Sequence, residues 1–238
     1  MEAIRTEKLS KFYGKARGII DLDLTVAQGD FFGFIGPNGA GKSTTIRTLL
    51  GLLRPTSGRG EVLGWDITRN TGEILSRVGY LPSETVFYPS MRVRELLRFS
   101  AGLRRQACGD EAARLCERLA LDPTRRVEEL SLGNRKKVGI VCALQHRPEL
   151  LILDEPTSGL DPLMQREFFT ILREYHEAGT TIFLSSHVLS EVRRNCTKAL
   201  VLREGCVEAS LGQPELSLGE EAFEDMFLKY YEQGGEAS

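Results

Sequence analysis

The 238 residues, 41% hydrophobic and 27% charged, suffice for one large domain or a core with a smaller lobe, and exclude disordered, collagen-like and fibrous chains. Lys and Arg number 31 against 33 Asp and Glu, so the net charge of -2 provides no global basic field and argues against a nucleic-acid partner. Apolar runs such as 150–153 and 182–184 fall far short of the roughly 20 residues a spanning helix needs; Glu2, Arg5, Glu7 and Lys8 flank no apolar leader, and five cysteines (108, 116, 142, 196, 206) without C-x-x-C spacing fit reduced thiols, so a cytoplasmic setting is expected.

Along the chain, residues 4–13 and 19–26 read as half-buried strands, the second with Leu22, Leu24 and Val26 alternating against Asp21, Asp23 and Thr25. Residues 30–35 read as a strand buried on both faces. It runs into a glycine-rich turn at 36–41 and an amphipathic helix over 42–53 that Arg54-Pro55 terminates. A short strand is expected at 78–82. From 92 to 146 the pattern is helical and rich in arginine (Arg92, Arg94, Arg98, Arg104, Arg105), which reads as a solvated face. Strand 150–153, helix 162–177, strand 180–185, helix 188–194 and strand 199–203 follow, and such alternation implies a mostly parallel sheet with helices on its faces. The tail over 219–231 reads as an amphipathic helix with Phe223, Met226, Phe227 and Tyr230 on one face, and residues 234–238 are expected to fray. His146 and His176 read as surface residues.

The turn carries the chemistry. Gly36-Pro37-Asn38-Gly39-Ala40-Gly41-Lys42-Ser43 matches the phosphate-loop pattern G-x-x-x-x-G-K-S. Glycines let the backbone curl so that successive N–H groups converge on one oxyanion, and the following helix adds the positive end of its dipole. Lys42 is expected to reach the β- and γ-phosphates and the Ser43 hydroxyl to bind Mg²⁺, with Thr44 beside it in the nucleotide site. A triphosphate also needs a carboxylate for the metal and a base for water. The apolar strand 150–153 delivers Asp154 for the first role and Glu155, one residue on, for the second.

With these residues in place the chain resembles the ATP-binding cassette (ABC) ATPases, as the nucleotide-binding subunit of an ABC transporter. The resemblance covers essentially its whole length. Leu130-Ser131-Leu132-Gly133-Asn134 stands where that family carries its LSGGQ signature, and residues 154–161 (Asp-Glu-Pro-Thr-Ser-Gly-Leu-Asp) reproduce its second carboxylate motif and dimer-contact loop. His187, after Ser185-Ser186, stands at the switch histidine, and Tyr13 stands where an aromatic stacks on adenine.

The resemblance implies an α/β P-loop fold with a mostly parallel core sheet, an N-terminal antiparallel β region and an inserted helical subdomain. The ATP-binding core would be 1–84 and 150–238, and the helical signature subdomain 85–149. It implies that Ser131 and Gly133 face the γ-phosphate held by another cassette, identical or not, and that His187 contacts that phosphate. It also implies MgATP hydrolysis coupled to a separate transmembrane permease on the inner face of the membrane, and bacterial exporters in particular. Two departures stand out: Ser83, with Glu84 next, occupies the place of a metal-touching glutamine, and Leu132 and Asn134 replace glycine and glutamine of the signature. Two other readings remain: a non-transport cassette of the translation or DNA-repair type, and an ATP-dependent regulator that does not hydrolyse.

Overall fold

Polar–apolar alternation near the N-terminus folds as a long antiparallel pair, β1 (Glu2–Tyr13) and β2 (Ala16–Ala27), in which Leu22, Leu24 and Val26 are buried and Asp21, Asp23 and Thr25 exposed. The computed structural model describes residues 1–232, which form two units: 1–74 with the residues from Phe183 on, and Leu75–Ile182. The tail at 234–238 lies outside the described residues. In the first unit, β3 (Phe31–Ile35) is buried at all five positions and leads through the glycine turn into helix α1 (Lys42–Leu49). The helix stops four residues before the expected position 53. Gly51, with φ +69°, ends it by turning its N–H onto the Thr48 carbonyl, before Pro55 can act. Strands β4 (Ser57–Val62) and β5 (Trp65–Asp66) follow, and α2 (Thr71–Arg77) leads out of this unit. The sequence reading did not assign them, because two glycines and three polar residues give β4 no period-2 pattern; its pairing with β1 makes it a strand.

The second unit opens with β6 (Val78–Leu81) and continues through helices α3 (Val93–Leu103), α4 (Gly109–Arg118) and α5 (Leu132–Leu144) to β7 (Leu150–Asp154) and α6 (Pro162–Glu177). Strands β6 and β7 pair in parallel, Val78 opposite Leu150 and Leu81 opposite Leu153. Helix α5 packs against β6, α3 and α4. It comes close because Gly79 has no side chain: a Cβ there would lie 2.2 Å from the Ala143 carbonyl oxygen. His146, expected at the surface, is instead buried just beyond α5, where burial and the nearby Arg104 charge push its imidazole down to about 4 and keep it neutral. His176 is half-buried on α6, whose start is set by Asp161 accepting the Met164 N–H at 3.0 Å and by Pro162 in its first turn.

Back in the first unit, β8 (Thr181–Ser186, from Phe183 on), α7 (Leu189–Asn195), β9 (Lys198–Arg203) and β10 (Cys206–Leu211) complete a second sheet. Its strands run in the order β10-β9-β3-β8, with β9 parallel to β3 and β10 antiparallel to β9, while the first sheet runs β2-β1-β4-β5. Phe183 stacks on Phe32 at 5.8 Å and leans on Phe34 at 5.2 Å between ring centres. A short helix α8 (Gln213–Leu216) precedes α9 (Glu220–Glu232), which buries Phe223 and half-buries Met226, Phe227 and Tyr230, the face read from the sequence. No helix among the described residues is long and apolar enough to cross a membrane.

One charged cluster ties the helices of the second unit together. Glu111 on α4 is buried and accepts hydrogen bonds from Arg114, from Arg147 beyond α5 and from the Tyr175 hydroxyl of α6 at 2.6 Å, while Tyr175 also reaches the Leu144 carbonyl. Burial alone would raise the Glu111 carboxyl; the three donors outweigh it and hold the group down at about 2. A carboxyl depressed in the fold stabilises it above the unfolded value and ceases to do so as pH falls through the folded one. Glu111→Gln should therefore cost about 2 kcal/mol at neutral pH. In thermal melts the gap between wild type and variant should close between about pH 4.5 and about pH 2.

Candidate functional site

In the first unit the phosphate loop is built by backbone packed on backbone. At Gly36 a Cβ would lie 2.4 Å from the Leu202 carbonyl oxygen of β9, and at Gly41, with φ +106°, 2.5 Å from the Gly18 carbonyl oxygen of β2. The Ala40 carbonyl accepts the Gly205 N–H at 2.9 Å, which fixes the middle of the loop. Pro37, Asn38 and Gly39 stand exposed at its rim, and Gly39, with φ +83°, has open space where a Cβ would be. Lys42 is buried and stretches its ammonium back across the loop to the carbonyls of Gly36 (2.6 Å) and Pro37 (3.1 Å).

Helix α1 begins at a glycine, so no side chain caps its first-turn N–H groups, and the hydroxyls of Ser43 and Thr44 sit half-buried beside them. A lysine ammonium laid across the loop, a helix start without a side-chain cap and two hydroxyls are a donor set suited to a polyphosphate and its magnesium ion.

Tyr13, at the end of β1 and about half exposed, reaches this site through Gly18. A Cβ on Gly18 would lie 3.2 Å from Tyr13 Cε2, 2.9 Å from Thr44 Cγ2 and 2.7 Å from the Lys11 carbonyl oxygen. The ring also carries the Lys11 ammonium 5.4 Å from its centre. His187, the other predicted residue of this unit, is exposed just past β8. Its turn is rigid because Ser186 donates to Glu191 at 2.7 Å and accepts the Val188 N–H at 3.0 Å. The sequence reading missed Gly18 and Gly205. An isolated glycine inside a strand, as at 18, was the available signal for a close backbone approach.

The second unit carries the other predicted residues. Asp154 is fully buried at the end of β7, and Glu155 follows it half-buried with φ +48°, a left-handed backbone that costs a non-glycine residue about 1 kcal/mol. Ser131 is the N-cap of α5, accepting the Asn134 N–H at 3.3 Å. Gly133 sits in the first turn against the loop after β7, where a Cβ would lie 2.8 Å from the Gly159 carbonyl oxygen, and Leu132 beside it is exposed. Ser83 is half-buried and Glu84 exposed in the loop after β6. Lys136, absent from the sequence reading, is buried one turn into α5; burial pushes its amine down to about 8 against the opposing pull of the Asp154 and Glu155 charges.

A strand, glycine loop and helix opening on Lys-Ser, together with a buried strand ending in Asp-Glu, define a P-loop ATPase. Within that class the model of the ABC transporter family matches residues 19–158, and the chain belongs to that family. It is 41% identical over 206 residues to the bacitracin transport ATP-binding protein BcrA of Bacillus licheniformis, covering 85% of this chain and 67% of that protein. It is 36% identical over 217 residues to the probable multidrug ABC transporter ATP-binding protein YbhF of Escherichia coli (strain K12), covering 89% of this chain and 37% of that one. Among solved structures, an ATP-binding subunit of an ABC transporter superposes with a TM-score of 0.89 at 27% identity, covering 96% of this chain and 99% of the other. The chain is thus an ATP-binding and ATP-hydrolysing ABC cassette.

Because Gly18 separates Tyr13 from Thr44 and carries the carbonyl under Gly41, Gly18→Val should displace the loop. MgATP affinity measured by calorimetry should fall at least about tenfold while far-UV circular dichroism stays unchanged.

Proposed function

We propose that the chain binds MgATP on residues 36–44, closes head to tail on a second cassette, identical or not, and powers transport, in the export direction, through a separate membrane-spanning permease that holds it on the inner face of the membrane. The observation that carries this reading is the start of α1 at a glycine, without a side-chain cap, with the Lys42 ammonium drawn across the loop before it. In this reading Tyr13 stacks on the adenine, Lys42 and the loop amides hold the phosphates, and Ser43 and Asp154 hold the metal. Bound Mg²⁺ would screen the phosphate charge at its site. Glu155 takes the proton of the attacking water, and His187 hydrogen-bonds the γ-phosphate. Ser131 keeps its own hydroxyl hydrogen to donate after accepting from Asn134, which suits it to a partner cassette's γ-phosphate.

Two further observations support the partners. Leu132 (65% exposed) and Leu163 (75%) are apolar side chains flanking the dimer-contact loop, as a cassette interface requires. In the second unit, Val86, Tyr88, Phe99 and Leu103 stand out around a hollow of about 450 Å³, an apolar landing suited to the permease. The export direction is our reading of the likeness to BcrA, a bacitracin transport protein, and YbhF, a probable multidrug transporter protein.

Glu155→Gln should retain MgATP, accumulate as a dimer on size-exclusion chromatography and stop turnover; normal turnover would remove Glu155 as the base. Lys42→Ala should weaken MgATP binding at least about tenfold, since one charge-assisted contact to phosphate is lost. Affinity purification from detergent-solubilised membranes should recover a multi-spanning protein, and Phe99→Glu should lose it while keeping MgATP affinity. Recovery of ribosomes or DNA instead would overturn the transporter reading.

A further inference from the structure

Lys136 is a buried cation that no role so far accounts for. Its side chain leaves α5 and spends all three ammonium hydrogens on main-chain carbonyls: Pro82 and Ser83 at 3.0 Å each, in the loop after β6, and Glu155 at 3.1 Å, in the turn after β7. A buried ammonium is expensive, and here three carbonyls and the nearby Asp154 and Glu155 charges offset that cost. The acceptors show what the charge is used for. They join three segments of the second unit: the helix that follows the signature, the loop that carries Ser83, and the left-handed residue Glu155.

We propose that Lys136 is the positioning residue for Glu155: it pins the carbonyl of that residue, so holding its left-handed backbone and the aim of its carboxylate, and locks the Ser83 loop to the same point. The grip falls on the main chain at 82 and 83, so it does not depend on which side chain position 83 carries. A serine there, too short to span the gap a glutamine fills, can therefore still report to the hydrolytic turn through its backbone. Changes at the 82–83 loop or at the start of α5 reach Glu155 through one ammonium group, a coupling of two loops by a shared hydrogen-bonding centre. The proposal rests on Glu155 being the base.

The test uses the full chain with Lys136→Met, which keeps the length and removes every donor, and with Lys136→Gln and Lys136→Arg, which restore some. Expected for Lys136→Met is a fall in kcat of about tenfold or more, because small misplacement of a catalytic group is that costly. The KM for MgATP should stay within about twofold, and the melting temperature should fall less in Lys136→Gln and Lys136→Arg than in Lys136→Met, which leaves three buried carbonyls without their donor. Turnover should recover in the order Met, Gln, Arg. A kcat within about twofold of wild type in Lys136→Met, beside an inactive Glu155→Gln, overturns the proposal. So does a loss of kcat matched by a loss of melting temperature without rescue by Gln or Arg.

Hydrogen exchange gives a readout independent of catalysis. Amides at 83–85 and at 155–158 should exchange faster together in Lys136→Met, or in Lys136→Gln if the Met variant does not fold, and unchanged exchange at either segment overturns the clamp. Normal turnover by Glu155→Gln, with both segments loosened in the Lys136 variants, would instead remove the base assignment and leave the clamp standing.

Discussion

The phosphate loop exists because three stretches of main chain come closer than any side chain permits. Gly36 rests on the carbonyl of Leu202 and Gly41 on that of Gly18, and Gly205 donates its N–H to Ala40. The contacts bring β2 from one sheet and β9 from the other against a single loop, so the register of both sheets decides where the loop amides point. A loop with left-handed backbone at Gly39 and Gly41 is a poor conformation for an isolated chain and is held only when its outer face is buttressed. The buried apolar strand β3 and the Phe32, Phe34 and Phe183 cluster fix the base from which the loop rises.

The second unit adds buried charge to close backbone contact. Glu111 gathers two arginines and a tyrosine at the backs of α4, α5 and α6, and Lys136 gathers three carbonyls near the turn at Glu155. Both groups are buried and ionised, and both would be destabilising if a partner were removed, because the desolvation of the remaining charge would stand uncompensated. Such contacts are directional, unlike apolar packing, and they fix helix positions to within a hydrogen-bond length. A cassette that must place a base beside water has use for that precision.

The departures from the family pattern acquire a physical sense from these contacts. Leu132, in place of a signature glycine, points outward and leaves the cap at Ser131 and the close approach of Gly133 to Gly159 intact. Ser83 gives up reach but keeps a carbonyl in the Lys136 cluster.

Much of this protein was legible in local patterns. The strand, glycine loop and helix at 31–49, the helix over 162–177 and the apolar face of the C-terminal helix follow from periodicity, capping residues and motif spacing, all of which act within a few residues of chain. What tertiary structure alone decided depends on partners distant in sequence. Strand β4 is a strand because β1 pairs with it, and His146 is buried beside Val78 of β6 and near the Arg104 charge, both distant in sequence. Gly18 matters because the phosphate loop packs on its backbone, and Lys136 gathers three remote carbonyls on one ammonium. Periodicity encodes which side of an element faces inward; it carries no information on which other backbone arrives there, and that arrival is what sets burial, close approach and the geometry of hydrogen bonds.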